Sequence, residues 1–262
     1  MRLGFSISPK TMHRAEEFKA AGVGEAEIGL HEYRESIELA LEMGGKVYDA
    51  ATAAGLGIWS THLPSGDLWE IDTLDEEQRK RNVQNLTFVM RTAAGWDSKI
   101  LVVHGLGANY REGFEQQCID ACCRSLDEMS TFASRYGMMV AVENIPRTPL
   151  ECSWAMLKLM DSCAGLCFDT NHLLLQGHEE FLDDMEKYVI TVHLSDYDRG
   201  GPLGERHWKP GEKGGIVPWE MVCSRLIRTG YRGPWMLETN IVDYSYTVRE
   251  VVTDFLTCSR LG

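Results

Sequence analysis

The sequence predicts a closed (β/α)8 barrel, an α/β fold built as a single domain over residues 1–262. Three observations predict it. A chain of 262 residues is a length that one α/β barrel routinely fills. Short β-rich runs alternate eight times with longer amphipathic stretches, the pattern of parallel strands joined by helical crossovers. No linker or low-complexity segment interrupts the alternation. The fallback is a doubly wound open sheet, weakened because no Gly-rich phosphate fingerprint follows the first strand.

The first strand is expected at 3–7, with a helix over 9–21 that stops at Gly22. A second strand at 25–30 leads to a helix over 34–54, closed by Gly55. The third, 57–62, precedes a helix over 73–95. Asp75, Glu76 and Glu77 stand at its start, where the helix dipole favours acid, and Gly95 at its end. Strand four, 100–104, is apolar on both faces through Ile100, Leu101, Val102 and Val103, as a covered parallel strand should be. A helix over 112–136 follows it, ended by Gly137. The remaining pairs are 138–143 with 150–161, 165–169 with 178–187, 189–194 with 218–229, and 235–238 with 245–259. The longest non-helical stretch, 195–217, follows the seventh strand, and a loop of that length in a compact domain is usually functional.

Hydrophobic residues make up 44% and charged residues 25%, enough for a buried core and too apolar for global disorder. With 26 Lys+Arg against 39 Asp+Glu the net charge is −13. A chain this acidic is not expected to grip nucleic acid over a wide surface, although a local cleft could take a small anionic substrate. No apolar run reaches the ~18 residues of a membrane span, and the start, through Lys10 and His13, lacks a signal-peptide hydrophobic region. The eight cysteines contain no CxxC. They read as reduced thiols, with Cys118 and Cys122 on one helix face, so the expected compartment is the cytoplasm.

The informative residues lie at strand ends. His62, His104, Glu143, Asp169 and Glu238 each close an expected strand, His193 lies in the last turn of the seventh, and His172 stands three residues after Asp169. In a barrel these ends converge on one mouth, where active sites of this fold sit. One such residue would pass as a hydrogen-bonding loop side chain; six are hard to assign to chance. Carboxylates with imidazoles suit Zn2+, Mn2+ or a related divalent ion. The loop after strand seven adds Asp196, Asp198, Arg199, Glu205, His207, Lys209, Pro210 and Gly211, a polar stretch with the turn residues of a rigid wrap. Trp59, Trp69, Trp208 and Trp219 fit core packing, with some able to wall a sugar face.

Together, Thr61-His62-Leu63-Pro64, Val102-Val103-His104-Gly105, Val142-Glu143-Asn144, Phe168-Asp169-Thr170-Asn171-His172, Val192-His193-Leu194-Ser195-Asp196, the stretch 207–216 and Leu237-Glu238 resemble the xylose-isomerase-like TIM barrels. That superfamily holds sugar phosphate isomerases and epimerases as well as type IV apurinic endonucleases, and the resemblance covers nearly the whole chain. It implies a divalent-metal-dependent sugar or sugar phosphate isomerase or epimerase. One metal ion (Mn2+, Zn2+, Co2+ or Mg2+) would be held by Glu143, Asp169, His193 and Glu238. Glu143 and Glu238 would serve as the acid/base pair, while His62, His104, His172, Arg199 and His207 contact substrate. The endonuclease members imply additional Zn2+ at His62/His104 or His172/His207, with Glu205 standing where that family has Asp.

Two alternatives stay open: a metal-dependent dehydratase or lyase of a cyclic polyol or keto acid, and a zinc-dependent phosphodiesterase of the apurinic endonuclease type. A non-catalytic metal-bearing or sugar-sensing barrel is a third. A small sugar or polyol is the expected partner. Homo-oligomers are common among similar epimerases.

Overall fold

The computed structural model describes residues 1–31, 33–106, 112–198 and 207–261. Its strands are β1 (Leu3–Ile7), β2 (Glu25–Gly29), β3 (Gly57–His62), β4 (Ile100–His104), β5 (Met139–Glu143), β6 (Gly165–Asp169), β7 (Val189–His193) and β8 (Trp235–Leu237). They form one parallel sheet in the order β7-β6-β5-β4-β3-β2-β1-β8. The last seam closes beyond the strand ends. Leu194 bridges Leu237 in parallel, the Leu194 amide donates to the Met236 carbonyl at 2.9 Å, and Glu238 donates to Leu194 at 3.0 Å. The barrel expected from the sequence is the fold.

A helix follows each strand: α1 (Ala15–Ala20), α2 (Ile37–Ala53), α3 (Glu76–Gly95), α4 (Glu115–Ser134), α5 (Ser153–Leu159), α6 (His178–Met185), α7 (Trp219–Arg228) and α8 (Val248–Ser259). Caps set their starts. The Asp75 carboxylate accepts from the amides of Glu77 and Gln78, so Asp75 precedes α3 rather than belonging to it. Thr247 and Glu250 form a reciprocal capping box at α8. Two expected helices are divided: 9–21 becomes a 3-10 turn at Met12–Arg14 and then α1, and 150–161 becomes a 3-10 turn at Pro149–Glu151 and then α5. Pro149 has no N–H to continue a ladder, and the Thr148 hydroxyl caps the short turn instead. Among the described residues no helix is long and apolar enough to cross a membrane.

The alternation along each strand divides the core in two and aims the site. Val140, Val142, Leu166 and Phe168 lie in the large cluster between sheet and helices. Ile100, Val102, Ala141 and Cys167 form a separate cluster, packed with Trp59, inside the barrel. Two residues further along the inward parity come His104, Glu143 and Asp169. A one-residue slip of β5 would turn Glu143 toward the helices and two valines inward, so apolar burial of about 1.5–3 kcal/mol per side chain also fixes where the carboxylates point.

Candidate active site and metal centre

The inward-facing strand ends meet beneath a cavity of about 300 Å³, at the small end of ligand pockets. Glu143 is its centre. His62 Nε2 and His104 Nε2 each lie 3.1 Å from Glu143 Oε2. His193 Nδ1 lies 3.0 Å from Glu143 Oε1 and 3.4 Å from Glu238 Oε2. One ligand-type atom each from Glu143, Asp169, His193 and Glu238 falls within 4.8 Å of the others. The trio His62, His104 and Glu143 meets the same limit, as does His31 with His62 and Glu238.

Neighbouring groups hold these side chains in place. Asn144 clamps the β5–β6 corner, donating to the Asp169 carbonyl at 2.9 Å and accepting from the Asp169 amide at 2.8 Å. The Asn171 amide donates to Asp169 Oδ1 at 2.5 Å, leaving Oδ2 buried with no hydrogen-bond partner. Three imidazoles are oriented by main-chain carbonyls. Nδ1 faces Leu63 at 3.1 Å for His62, Asn144 at 2.9 Å for His172, and Glu238 at 2.9 Å for His207. A carbonyl only accepts, so these partners assign the proton to Nδ1 and turn Nε2 the other way.

The electrostatics are those of crowded buried acids and imidazoles. Burial, reinforced by Glu143 and Glu238, raises Asp169 well above the usual carboxylate range. At Glu143 burial opposes ionisation, but the His193 charge and hydrogen bonds from His104, His193 and His62 win, holding it well below that range. Burial works against charge on His193 too, yet Cys167 and the carboxylates of Glu238, Glu27 and Glu143 raise it well above 6.5. Burial takes His172 down to about 3, so it is a neutral imidazole at physiological pH.

Three carboxylates and an imidazole, one oxygen of them orphaned, fit a divalent cation by donor chemistry. Protons compete for the same donors. Groups whose pKa is raised keep a proton where the free side chain would have lost it, so an ion must displace it and binding tightens as pH rises. Loading Zn2+ onto chelator-treated protein near neutral pH is therefore expected to release protons, with His193 a source. Calorimetry in buffers of different ionisation heat counts them, and zero release would contradict the protonation pattern.

Nearly every site residue expected from the sequence converges here. His62, His104, His172, His207, Glu143 and Glu238 line the cavity, and Asp169 and His193 lie buried beside Glu143. The His172 and His207 rings stand edge to face, 6.0 Å between centroids. Arg199 and Glu205 lie outside the described residues. None of Trp59, Trp69, Trp208 and Trp219 lines the described cavity. Sequence reasoning missed His31 and Glu27, and named Asp196 only as one polar residue of the loop after strand seven. His31, after β2, packs edge-on to His62 at 5.1 Å. Asp196, 1% exposed, gathers the loop after β7 around its carboxylate. Glu27, in the middle of β2, is wholly buried beside His193. Glu27 shares the inward parity of Ser6, its register partner, but nothing in the sequence pairs it with His193.

The sequence matches the family model described as xylose isomerase-like TIM barrel over residues 15–251. No curated protein matches it in sequence. Among solved structures it is similar to a D-tagatose 3-epimerase-like protein, with TM-score 0.73 and 20% identity over 100% of this chain and 99% of the other. It is similar to 3-keto-D-glucoside 4-epimerase from E. coli, with TM-score 0.74 and 16% identity over 98% and 100%. The IolI protein with a zinc atom matches with TM-score 0.73 and 16% identity over 99% and 96%. At these identities the likeness is one of fold.

Proposed function

This chain belongs to the xylose isomerase-like TIM barrel family, and we propose that within it the protein is a divalent-metal-dependent isomerase or epimerase of a small sugar or sugar phosphate. The observation that carries this reading is the quartet of buried Glu143, Asp169 and His193 with half-buried Glu238, their ligand atoms within 4.8 Å at the floor of a small cavity. Those four would hold Mn2+, Zn2+, Co2+ or Mg2+. Bound there, the ion would supply Lewis-acid stabilisation of negative charge developing on substrate oxygens.

The chain's own residues supply the proton transfers. Removing a proton next to a carbonyl needs a base on one face and an acid to return it to the other face or the next carbon. Glu143 and Glu238 take these roles. Glu143 is fixed by three histidines, and Glu238, with 14% of its side chain exposed, borders the cavity and can exchange its proton with solvent. His62, His104, His172 and His207 present polar ring edges to substrate hydroxyls, with Arg199 assigned to the same task from the adjoining loop.

The test is solvent exchange. Metal-reconstituted protein, offered ketoses, sugar phosphates and cyclic polyols in D2O, is expected to incorporate deuterium beside the carbonyl of one of them without further change of mass. Loss of water from the product would move the assignment to a dehydratase using the same acid pair. Absence of exchange across the panel would overturn the proposal.

One observation favours a second reading. His62 and His104 both meet Glu143 Oε2 at 3.1 Å, a three-donor set that would hold an additional Zn2+. Two or three zincs per chain with cleavage of abasic DNA would establish the phosphodiesterase reading, against which the charge of −13 speaks.

A further inference from the structure

We propose that Glu27 is a positioning residue for His193, holding the imidazole with its proton on Nε2 so that Nδ1 offers its lone pair to the ion shared with Glu143, Asp169 and Glu238. The inference rests on the metal-site reading above.

His193 Nε2 lies 3.0 Å from both oxygens of Glu27. Ser60 Oγ donates to Glu27 Oε2 at 2.8 Å, so the carboxylate is itself held in place. All three side chains are fully buried. A carboxylate in the interior of a barrel carries a heavy desolvation cost, and packing gives no reason for one here. Elsewhere the barrel interior is filled by apolar Ile100, Val102, Ala141 and Cys167, the kind of side chain that bulk alone would call for.

What the acid adds is direction. A neutral imidazole ligates through one nitrogen only, and an acceptor on the other nitrogen decides which, while strengthening the donor. At His62, His172 and His207 a main-chain carbonyl faces Nδ1 and turns Nε2 outward. His193 is the reverse: Nδ1 looks at Glu143 and Glu238, so Nε2 needs an acceptor from inside the barrel wall, and Glu27 is placed to be it.

The test compares Glu27→Met, which keeps bulk and removes the acceptor, with Glu27→Gln, which keeps an acceptor oxygen. Zn2+ affinity is read by competition with a chromophoric chelator. The His193 tautomer is read from 15N shifts of chelator-treated protein, at a pH above the ring's titration. Glu27→Met should weaken Zn2+ binding about 10- to 100-fold and mix the two tautomers. Glu27→Gln should stay close to wild type on both readouts. Wild-type affinity in Glu27→Met, or a neutral wild-type His193 whose single proton sits on Nδ1, would overturn the proposal. Should Glu27→Met fail to fold, Ser60→Ala is measured the same way, and unchanged affinity with an unchanged 15N pattern overturns it. A merely structural role would lower the melting temperature without moving either readout. If wild-type protein binds no Zn2+ at all, the functional reading fails, and the tautomer in the metal-stripped chain still decides the role of Glu27.

Discussion

Glu143→Gln should lower turnover of the reconstituted protein about a thousandfold or more, since general acid–base catalysis alone accounts for about 10²–10⁴-fold and this residue is also assigned as a metal ligand. The carboxylate accepts on both oxygens: His62 and His104 on Oε2, His193 on Oε1. An amide reproduces only one of those faces. Its NH2 end would confront imidazoles that are themselves donors, leaving buried polar atoms unsatisfied at about 1–3 kcal/mol. Loss of activity should therefore come with a lower melting temperature and less metal per chain. Glu238→Gln differs. Its side chain is 14% exposed and makes longer contacts, 3.4 Å to His193 and 3.8 Å to His207, so water can satisfy the amide and stability should change little while exchange of the substrate proton still collapses. Deuterium exchange rates, metal analysis and thermal unfolding on the two variants check this pair of outcomes. Near wild-type turnover by both on a confirmed substrate would remove the acid/base assignment.

What made Glu143 legible in the sequence is the period of two. Apolar residues alternate toward the helices through Val140 and Val142, and the acid closes the strand on the inward parity, where a barrel mouth must be. Asp169 and His104 were legible for the same reason. Glu27 was not, although its strand was. Its partners His193 and Ser60 come from β7 and β3, far away in sequence, and a mid-strand acid with no visible partner gives no reason to choose function over an edge or a bulge. His31 was hidden by its position just past β2, where it reads as a turn residue. The helix 9–21 divided because the Thr11 hydroxyl accepts from the Ser8 amide and donates to the Ser8 carbonyl, a local competition that hydrophobic periodicity does not register. The stretch 195–217 was read as functional from its length and composition. How its described part is anchored depends on one buried side chain.

Asp196→Ala is expected to release that anchor. Its carboxylate, 1% exposed, accepts from the amides of Tyr197 at 3.0 Å, Gly211 at 3.0 Å and Val217 at 3.2 Å, and from Trp219 Nε1 at 2.8 Å. Its main chain exchanges two 2.9 Å hydrogen bonds with Trp208. One charge thus satisfies four donors and ties 207–217 to the end of β7 and the start of α7. Removing it should cost about 2–4 kcal/mol, because hydrogen bonds to a charged group are worth about 1.5–3 kcal/mol each and water restores part of the loss near the surface. For a chain of this size that is a fall in melting temperature of about 5–10 °C. The effect should reach the active site without any contact to substrate. His207 lies beside Trp208 and is fixed by Nδ1 against the Glu238 carbonyl and by its own carbonyl against the Asn240 amide, so a shifted loop moves one wall of the cavity. A higher KM with a smaller change in kcat is the expected signature, together with new protease cleavage within 207–217. Gly215→Ala provides an independent route to the same phenotype with the carboxylate intact. A Cβ there would stand 2.5 Å from both Asp196 oxygens, closer than any real contact, so the loop backbone must retreat. Unchanged melting and unchanged proteolysis in both variants would show that the loop is held by its other contacts. Parallel losses would identify the Asp196 carboxylate, three residues beyond the end of β6–β7 pairing at His193, as the point where barrel and binding loop are joined.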